Sequence, residues 1–198
     1  MSKIYFGKRT ELEKSIIIAG SGGQGILFLG RMLTSAGMLE GKDVTWFPSY
    51  GAEMRGGTAN CTVIISDEMI GSPVVMMPDI LIIMNRTSLE RFLSRLRKRG
   101  ILFYDSSLIT EKIPRRDIIA VPVPSTNIAG DMGNPKSANM VMLGAFIAKT
   151  GILRQDSVFS IFEGSSDPRK VEAFKANIGL IQKGIDYIEN SQGTYQRY

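Results

Sequence analysis

The sequence predicts an α/β protein: a three-layer α/β/α sandwich on a mostly parallel, Rossmann-like sheet. Three observations carry this expectation. Short β-branched runs alternate with helix-period segments over the first two-thirds of the chain. The first run leads through Gly20, Gly22 and Gly25, in GxGxxG spacing, into a helical segment. Of 198 residues, 43% are hydrophobic and 22% charged, with no linker, repeat or low-complexity stretch. One domain over residues 1–198 is therefore expected, with a polar tail from about residue 191. A domain of this length buries roughly 70% of the surface its unfolded chain exposes and needs no covalent staple.

In chain order, Ser15–Ala19 reads as a short buried strand. The segment Ile26–Leu39 places Leu29, Met32, Leu33 and Ala36 on one face, which predicts a helix stopped by Gly41. Val44–Phe47 predicts a second strand closed by Pro48, and Asn60–Ile65 a third, followed by a turn at Asp67-Glu68. Met69–Met77, broken by Gly71 and Pro73, has no clear period. Asp79–Met84 predicts a strongly buried strand. Thr87 and Glu90 then suggest a capping box for a helix over Ser88–Lys98, ended by Gly100. Ile101–Tyr104 and Ile118–Val121 predict two more strands. Pro122 and Pro124 open a segment expected to be irregular through Gly130 and Gly133. Helices are expected over Asn139–Lys149, stopped by Gly151, and over Ser157–Phe162. Asp167-Pro168 supplies a cap and an N1 proline for a last helix reaching about Asn190. This helical third should pack back on the sheet.

Composition removes several chemistries. There is no histidine, so Ser–His and Cys–His nucleophile pairs and histidine general bases are absent. Cys61, the single cysteine, cannot form an internal disulfide, a CxxC pair or a four-thiolate metal site. Any redox centre the protein serves should sit on another chain. The net charge is +5, with much of the excess between Arg91 and Arg116. The favoured reading of that cluster is a solvated helix face, then a docking surface for an acidic partner. Nucleic acid ranks last, because neither interleaved aromatics nor a known module accompanies it. No run of about 18 apolar residues exists, so no membrane span is expected. Met1–Arg9 lacks the apolar core of a signal peptide, and with a free cysteine the cytoplasm is the expected compartment.

Two loops carry the chemical signal. In the first, glycines let backbone N–H groups approach an anion, and the following helix N-terminus adds a favourable dipole. A phosphate-bearing ligand and a purely structural tight turn are equally supported by a lone glycine fingerprint. NAD is less favoured than either, because the second strand ends Thr45-Trp46-Phe47-Pro48 without the acid that would hold a ribose; no GK[ST] follows for a Walker A loop. The second loop, Ser49–Thr58, holds Tyr50, Glu53, Arg55, Gly56 and Gly57 at the end of a strand, where open parallel sheets bind ligands. A turn stapled by a Glu53–Arg55 ion pair explains it equally well.

Gly22-Gly23-Gln24-Gly25-Ile26 followed by Ser49-Tyr50-Gly51-Ala52-Glu53-Met54-Arg55-Gly56-Gly57 resembles the paired signature of the gamma subunit, or equivalent fused domain, of 2-oxoacid:ferredoxin oxidoreductases. The resemblance continues through Ile65–Glu68, Pro78-Asp79 and Asn139–Ala145, and ends near Asn177. It implies a subunit, not catalytic alone, of an assembly that oxidatively decarboxylates a 2-oxoacid to an acyl-CoA and reduces ferredoxin. Coenzyme A would contact Gly22, Gly23, Gln24, Gly25, Ile26 and Asn139. Thiamine diphosphate, magnesium and iron–sulfur clusters would sit on alpha, beta and delta-type partner subunits. Tyr50, Glu53, Arg55, Gly56 and Gly57 would face the thiamine diphosphate subunit. The form of the second loop, with Asn60-Cys61 behind it, favours 2-oxoglutarate, then 2-ketoisovalerate, then pyruvate as the assembly's substrate. The other readings are a free-standing dinucleotide-binding protein and a regulatory or assembly homologue without enzyme activity.

Overall fold

The computed structural model describes residues 12–49, 58–162 and 168–191. Among the described residues six strands form one sheet: β1 (Glu13–Ser21), β2 (Asp43–Ser49), β3 (Thr58–Ser66), β4 (Ile80–Ile83), β5 (Ile101–Asp105) and β6 (Ile119–Val123). Their order is β2-β3-β1-β4-β5-β6. β1, β4, β5 and β6 pair in parallel, while β3 runs antiparallel to both β1 and β2. Five strands thus point one way and β3 points back. The two strands that contain proline, β2 with Pro48 and β6 with Pro122, are the two edges, where a missing N–H leaves no ladder bond unmade.

The central strands are buried on both faces, as their continuous apolar runs require. On β1 and β4, Ile16, Ile18, Ile80 and Ile82 face one core, and Ile17, Ala19, Leu81 and Ile83 face the other. The first core is thick. It holds α1 (Ile26–Leu39), α4 (Ala138–Thr150), α5 (Gln155–Ser160) and α6 (Pro168–Asn190). Every residue of α4 from Ala138 to Ile147 is buried, because the helix is covered by α6 as well as by the sheet side. Its apolarity all round is the sequence counterpart of that position. Two glycines permit the close crossing of α4 and α6. A Cβ on Gly144 would strike the carbonyl oxygen of Ile181, and one on Gly184 that of Val141. The second core is thin, closed by α2 (Arg86–Phe92) through Leu89 and Phe92 and by Ile109 and Ile118. Each fully buried Leu, Ile or Phe in these layers stabilises by about 1.5–3 kcal/mol.

The observed elements differ from the sequence reading at several points. The cap of α2 is Asn85, whose side chain accepts from Ser88 N at 2.9 Å, so Thr87 and Glu90 form no capping box. Glu90 instead pairs with Arg86 across one turn. The helix stops at Phe92 and tightens into a 3-10 turn at Leu93–Arg95, well short of Lys98. Pro122 lies inside β6, and the stretch expected to be irregular contains a two-turn helix, α3 (Ser125–Asp131), entered directly from Pro124. Asp79 and Met84 flank β4 rather than join it, Pro48 lies within β2, and α5 starts two residues before Ser157. Asp167 and the tail beyond Ser191 fall outside the described residues.

Candidate functional site

The carboxyl ends of the parallel strands meet at one edge, and the chain splits there. After β1 the chain enters α1 on the first face; after the neighbouring β4 it enters α2 on the second. Adjacent strands whose connections leave in opposite directions open a crevice between them, and open α/β sheets bind ligands there. The glycine loop, Ser21–Gly25, forms one lip of this crevice, and Asn85-Arg86 the other.

The loop is built by its own side chains. Gln24 folds inward: its Oε1 accepts from Ser21 N at 2.7 Å, and its Nε2 donates to Met84 O at 2.9 Å. Its backbone N–H donates to Ser21 O at 3.2 Å, closing a tight turn. Gly23 and Gly25 adopt φ of 89° and 70°, left-handed values that glycine reaches without strain. Gly20 is needed for space, since a Cβ there would lie 2.6 Å from Ile26 Cδ1 and 2.9 Å from Met84 Cβ. Gly25 is hemmed in by Asn139, whose Nδ2 donates to Gly25 O at 3.2 Å. Gly22 and Gly23 differ from these two: among the described residues nothing lies within 4 Å of a Cβ built on either. Gly25 is also the N-cap of α1; among the described residues no side chain caps this end, and no acid occupies its first turn. The leading N–H groups of α1 and the open backbone at Gly22-Gly23 thus share one edge, the arrangement that suits a phosphate group.

The sequence-predicted residues divide into three groups. Gly22, Gly23 and Gly25 with Ile26 form the loop and helix start, and Asn139 reaches the same place from α4. Gln24 belongs to the loop through one bond at each end of its amide. Tyr50, Glu53, Arg55, Gly56 and Gly57 lie outside the described residues, but the flanking positions are fixed. Thr58 pairs with Ser21 and Ser49 with Asn60, so both ends of that segment meet the edge where the glycine loop lies.

The sequence reading missed Ser21 and Asn85. Asn85 Nδ2 donates to Ser21 Oγ at 2.6 Å while its Oδ1 caps α2, so one side chain spans the crevice floor. An asparagine just before a helix was the available signal. At the end of β5, buried Asp105 accepts from Ser107 N at 3.0 Å and from Thr126 Oγ1 at 2.5 Å, tying β5 to α3. The hydroxyls of Ser88 and Ser125 are buried without a hydrogen-bond partner among the described residues.

The order of the strands also bears on NAD. The strand beside β1 on that side is β3, running the opposite way, and β2 lies one place further out. The end of β2 is therefore not next to the glycine loop, where a ribose-binding acid would have to stand. Cys61 is inert where it sits. Burial under α1 pushes its thiol up to about 12, outweighing the Trp46 indole, which faces it without a bond of full hydrogen-bond geometry. Among the described residues no cluster of three His, Cys, Asp or Glu could hold a metal, and no helix is long and apolar enough to cross a membrane.

Comparison with known proteins places the chain. The family profile described as pyruvate ferredoxin/flavodoxin oxidoreductase matches residues 15–187. Ketoisovalerate oxidoreductase subunit VorA of Methanothermobacter marburgensis is 35% identical over 189 residues, covering 92% of this chain. The chain spans only 38% of that relative's length. The crystal structure of the keto/oxoacid ferredoxin oxidoreductase gamma subunit of Geobacter sulfurreducens superposes with a TM-score of 0.76 at 27% identity, covering 89% of this chain and 99% of that one. The 2-oxoglutarate:ferredoxin oxidoreductase of Magnetococcus marinus, solved with 2-oxoglutarate, coenzyme A and succinyl-CoA bound, shares the fold. Its TM-score is 0.79 at 24% identity, covering 90% of this chain and 31% of that one. With the profile spanning β1 to the last turns of α6, this chain belongs to the pyruvate ferredoxin/flavodoxin oxidoreductase family.

Proposed function

We propose that this chain is the gamma-type subunit of a multi-subunit 2-oxoacid:ferredoxin oxidoreductase, and that its glycine loop holds the phosphates of coenzyme A. The observation that carries the ligand assignment is the open backbone at Gly22-Gly23 beside the uncapped start of α1. Coenzyme A brings a pyrophosphate, and backbone N–H groups at a helix start suit that charge. Ile26 supplies the first helical N–H, and Gln24 and Asn139 hold the loop in shape. The coenzyme A bound in the similarly folded Magnetococcus marinus enzyme supports this choice of ligand.

In this reading the chain performs no bond-making step. It binds and orients the acyl acceptor. Partner subunits hold thiamine diphosphate, magnesium and the iron–sulfur clusters, and ferredoxin takes the electrons from the assembly. A chain with one buried cysteine and no histidine fits that division. The Ser49–Thr58 connection, with Tyr50, Glu53, Arg55, Gly56 and Gly57, faces the thiamine diphosphate subunit in this reading; support comes from Thr58, which pairs with Ser21 beside the coenzyme A loop, and from Ser49, which ends at the same sheet edge. The substrate is 2-oxoglutarate or 2-ketoisovalerate in preference to pyruvate, supported by the names of the Magnetococcus and Methanothermobacter proteins.

The test is reconstitution. The purified chain should be colourless and inactive alone, and adding the partner subunits should give coenzyme A-dependent oxidation of the oxoacid. Coenzyme A should bind the complete assembly more tightly than an assembly lacking this chain. Equal binding by both would move the phosphate site to another subunit.

A further inference from the structure

The amino edge of the sheet, opposite the crevice, carries a second surface. The chain between β3 and β4 crosses it as a strap with no helix or strand of its own. Four of its apolar side chains point outward: Met69 is 88% exposed, Val74 71%, Met76 76% and Met77 62%. An isolated exposed apolar residue needs no explanation, but four within nine residues do.

The strap is held in this form. Ile70 N donates to Asp43 Oδ2 at 3.3 Å at one end. At the other, Arg95 donates to Val75 O at 2.8 Å and to Met76 O at 3.3 Å, and Arg97 N donates to Pro78 O at 3.1 Å. A guanidinium fixing two strap carbonyls leaves the adjoining side chains presented rather than packed inward. Pre-organisation of this kind lowers the ordering cost of binding.

A basic cleft of about 220 Å³ adjoins the strap at Pro78-Asp79. Lys14, Arg97, Lys98 and Arg99 line it against a single lining acid, Asp79, which already pairs with Arg97. Arg99 stands at φ 63°, an uncommon backbone value for a non-glycine residue.

We propose that the strap and this cleft form one docking surface for another subunit of the oxidoreductase assembly, one that offers an apolar centre flanked by carboxylates. The inference rests on the reading of the chain as a gamma-type subunit. Methionine and arginine are characteristic of protein interfaces. Charge selects the partner: with Arg97 offset by Asp79, a second copy of this chain meeting itself would still bring Lys14, Lys98 and Arg99 toward their equivalents, which is repulsive. Nucleic acid is disfavoured because the exposed apolar groups are aliphatic and give bases no ring to stack on.

The experiment measures binding of the full chain to the remaining subunits, purified together without it, over a range of salt. Wild type should bind, more weakly as salt rises. Met76→Glu with Met77→Glu should lower affinity by about tenfold or more while the isolated chain melts at the wild-type temperature. Lys98→Glu should weaken binding less and flatten its salt dependence. Unchanged affinity in the methionine double variant overturns the surface. So does a wild-type homodimer that this variant dissolves. Wild type that binds no partner subunits overturns the gamma-subunit reading along with it, whereas failure of the surface alone leaves wild-type binding intact.

Discussion

Asn139, in the first turn of α4, donates through Nδ2 to the carbonyl of Gly25, the residue that caps α1, at 3.2 Å. Residues separated by more than a hundred positions thus share one hydrogen bond at the lip of the crevice. Asn139 is nearly fully buried there. Asn139→Ala should destabilise the fold by about 1–2 kcal/mol, the usual cost of a lost buried hydrogen bond plus a small void. It should also weaken coenzyme A binding by the assembly. Urea titration of the chain and ligand titration of the complex measure the two effects separately.

The four loop glycines should separate by role. Gly22→Ala adds a methyl group that meets none of the described residues, at a backbone angle that alanine tolerates, so stability should be near wild type. The methyl would occupy the proposed phosphate cradle, and the Michaelis constant for coenzyme A should rise more than that for the oxoacid. Gly25→Ala combines φ 70° with a collision against Asn139, and should cost about 2–3 kcal/mol. Equal kinetic effects on both substrates in the Gly22 variant would favour a structural turn over a ligand site.

Gly144→Ala and Gly184→Ala should each destabilise strongly. The added methyl groups meet backbone carbonyls across the α4–α6 crossing, which cannot rotate away as a side chain would. Separation of the helices should cost about 3 kcal/mol or more, visible as a lower thermal midpoint. Gly151→Ala, which meets no atom and bears only the cost of φ 61°, is the comparison. A Gly144 variant as stable as the Gly151 variant would show that the helices slide apart cheaply.

Asp79 predicts an acid-sensitive contribution. Burial alone would raise its carboxyl, but the Ser15 N–H and hydroxyl, at 2.9 and 2.7 Å, together with Arg97, outweigh burial and hold it below the usual aspartate range. A group depressed in the folded state contributes stability that is complete above its unfolded pKa and is lost as pH falls through the folded value. Asp79→Asn should therefore be less stable than wild type near neutrality by about 1–3 kcal/mol, and the gap should close on acidification. Denaturant midpoints measured across the acid range check this; a constant gap would remove the charge from the account.

Much of the fold was legible because its signals are local. Ile26–Leu39 could be bounded to the residue, since Gly25 and Gly41 flank an uninterrupted helical period. The stop of α4 at Gly151 was legible for the same reason. Two failures came from contacts beyond the local sequence. Asn85 and Thr87 both offer N-cap chemistry within three residues, and only the approach of Ser21 to Asn85 selects between them. α3 was hidden among Pro122, Pro124, Gly130 and Gly133, and its attachment to Asp105 depends on a strand some twenty residues earlier.

By itself the sequence determined most of the segments that become strands and helices, the left-handed turns that only glycine enters easily, and the chemistry that is missing for want of histidine and a second cysteine. Periodicity, φ preference and side-chain chemistry are properties of a few neighbouring residues. The tertiary structure alone decided that β3 inserts antiparallel between β1 and β2, that Asn139 reaches Gly25, that Gln24 turns inward to Met84, and that the Met69–Met77 strap is left facing outward. Gln24 and Met84 stand 60 positions apart, and Asn139 and Gly25 stand 114 apart. These relationships are fixed by how whole layers pack against one another, and no local preference encodes them.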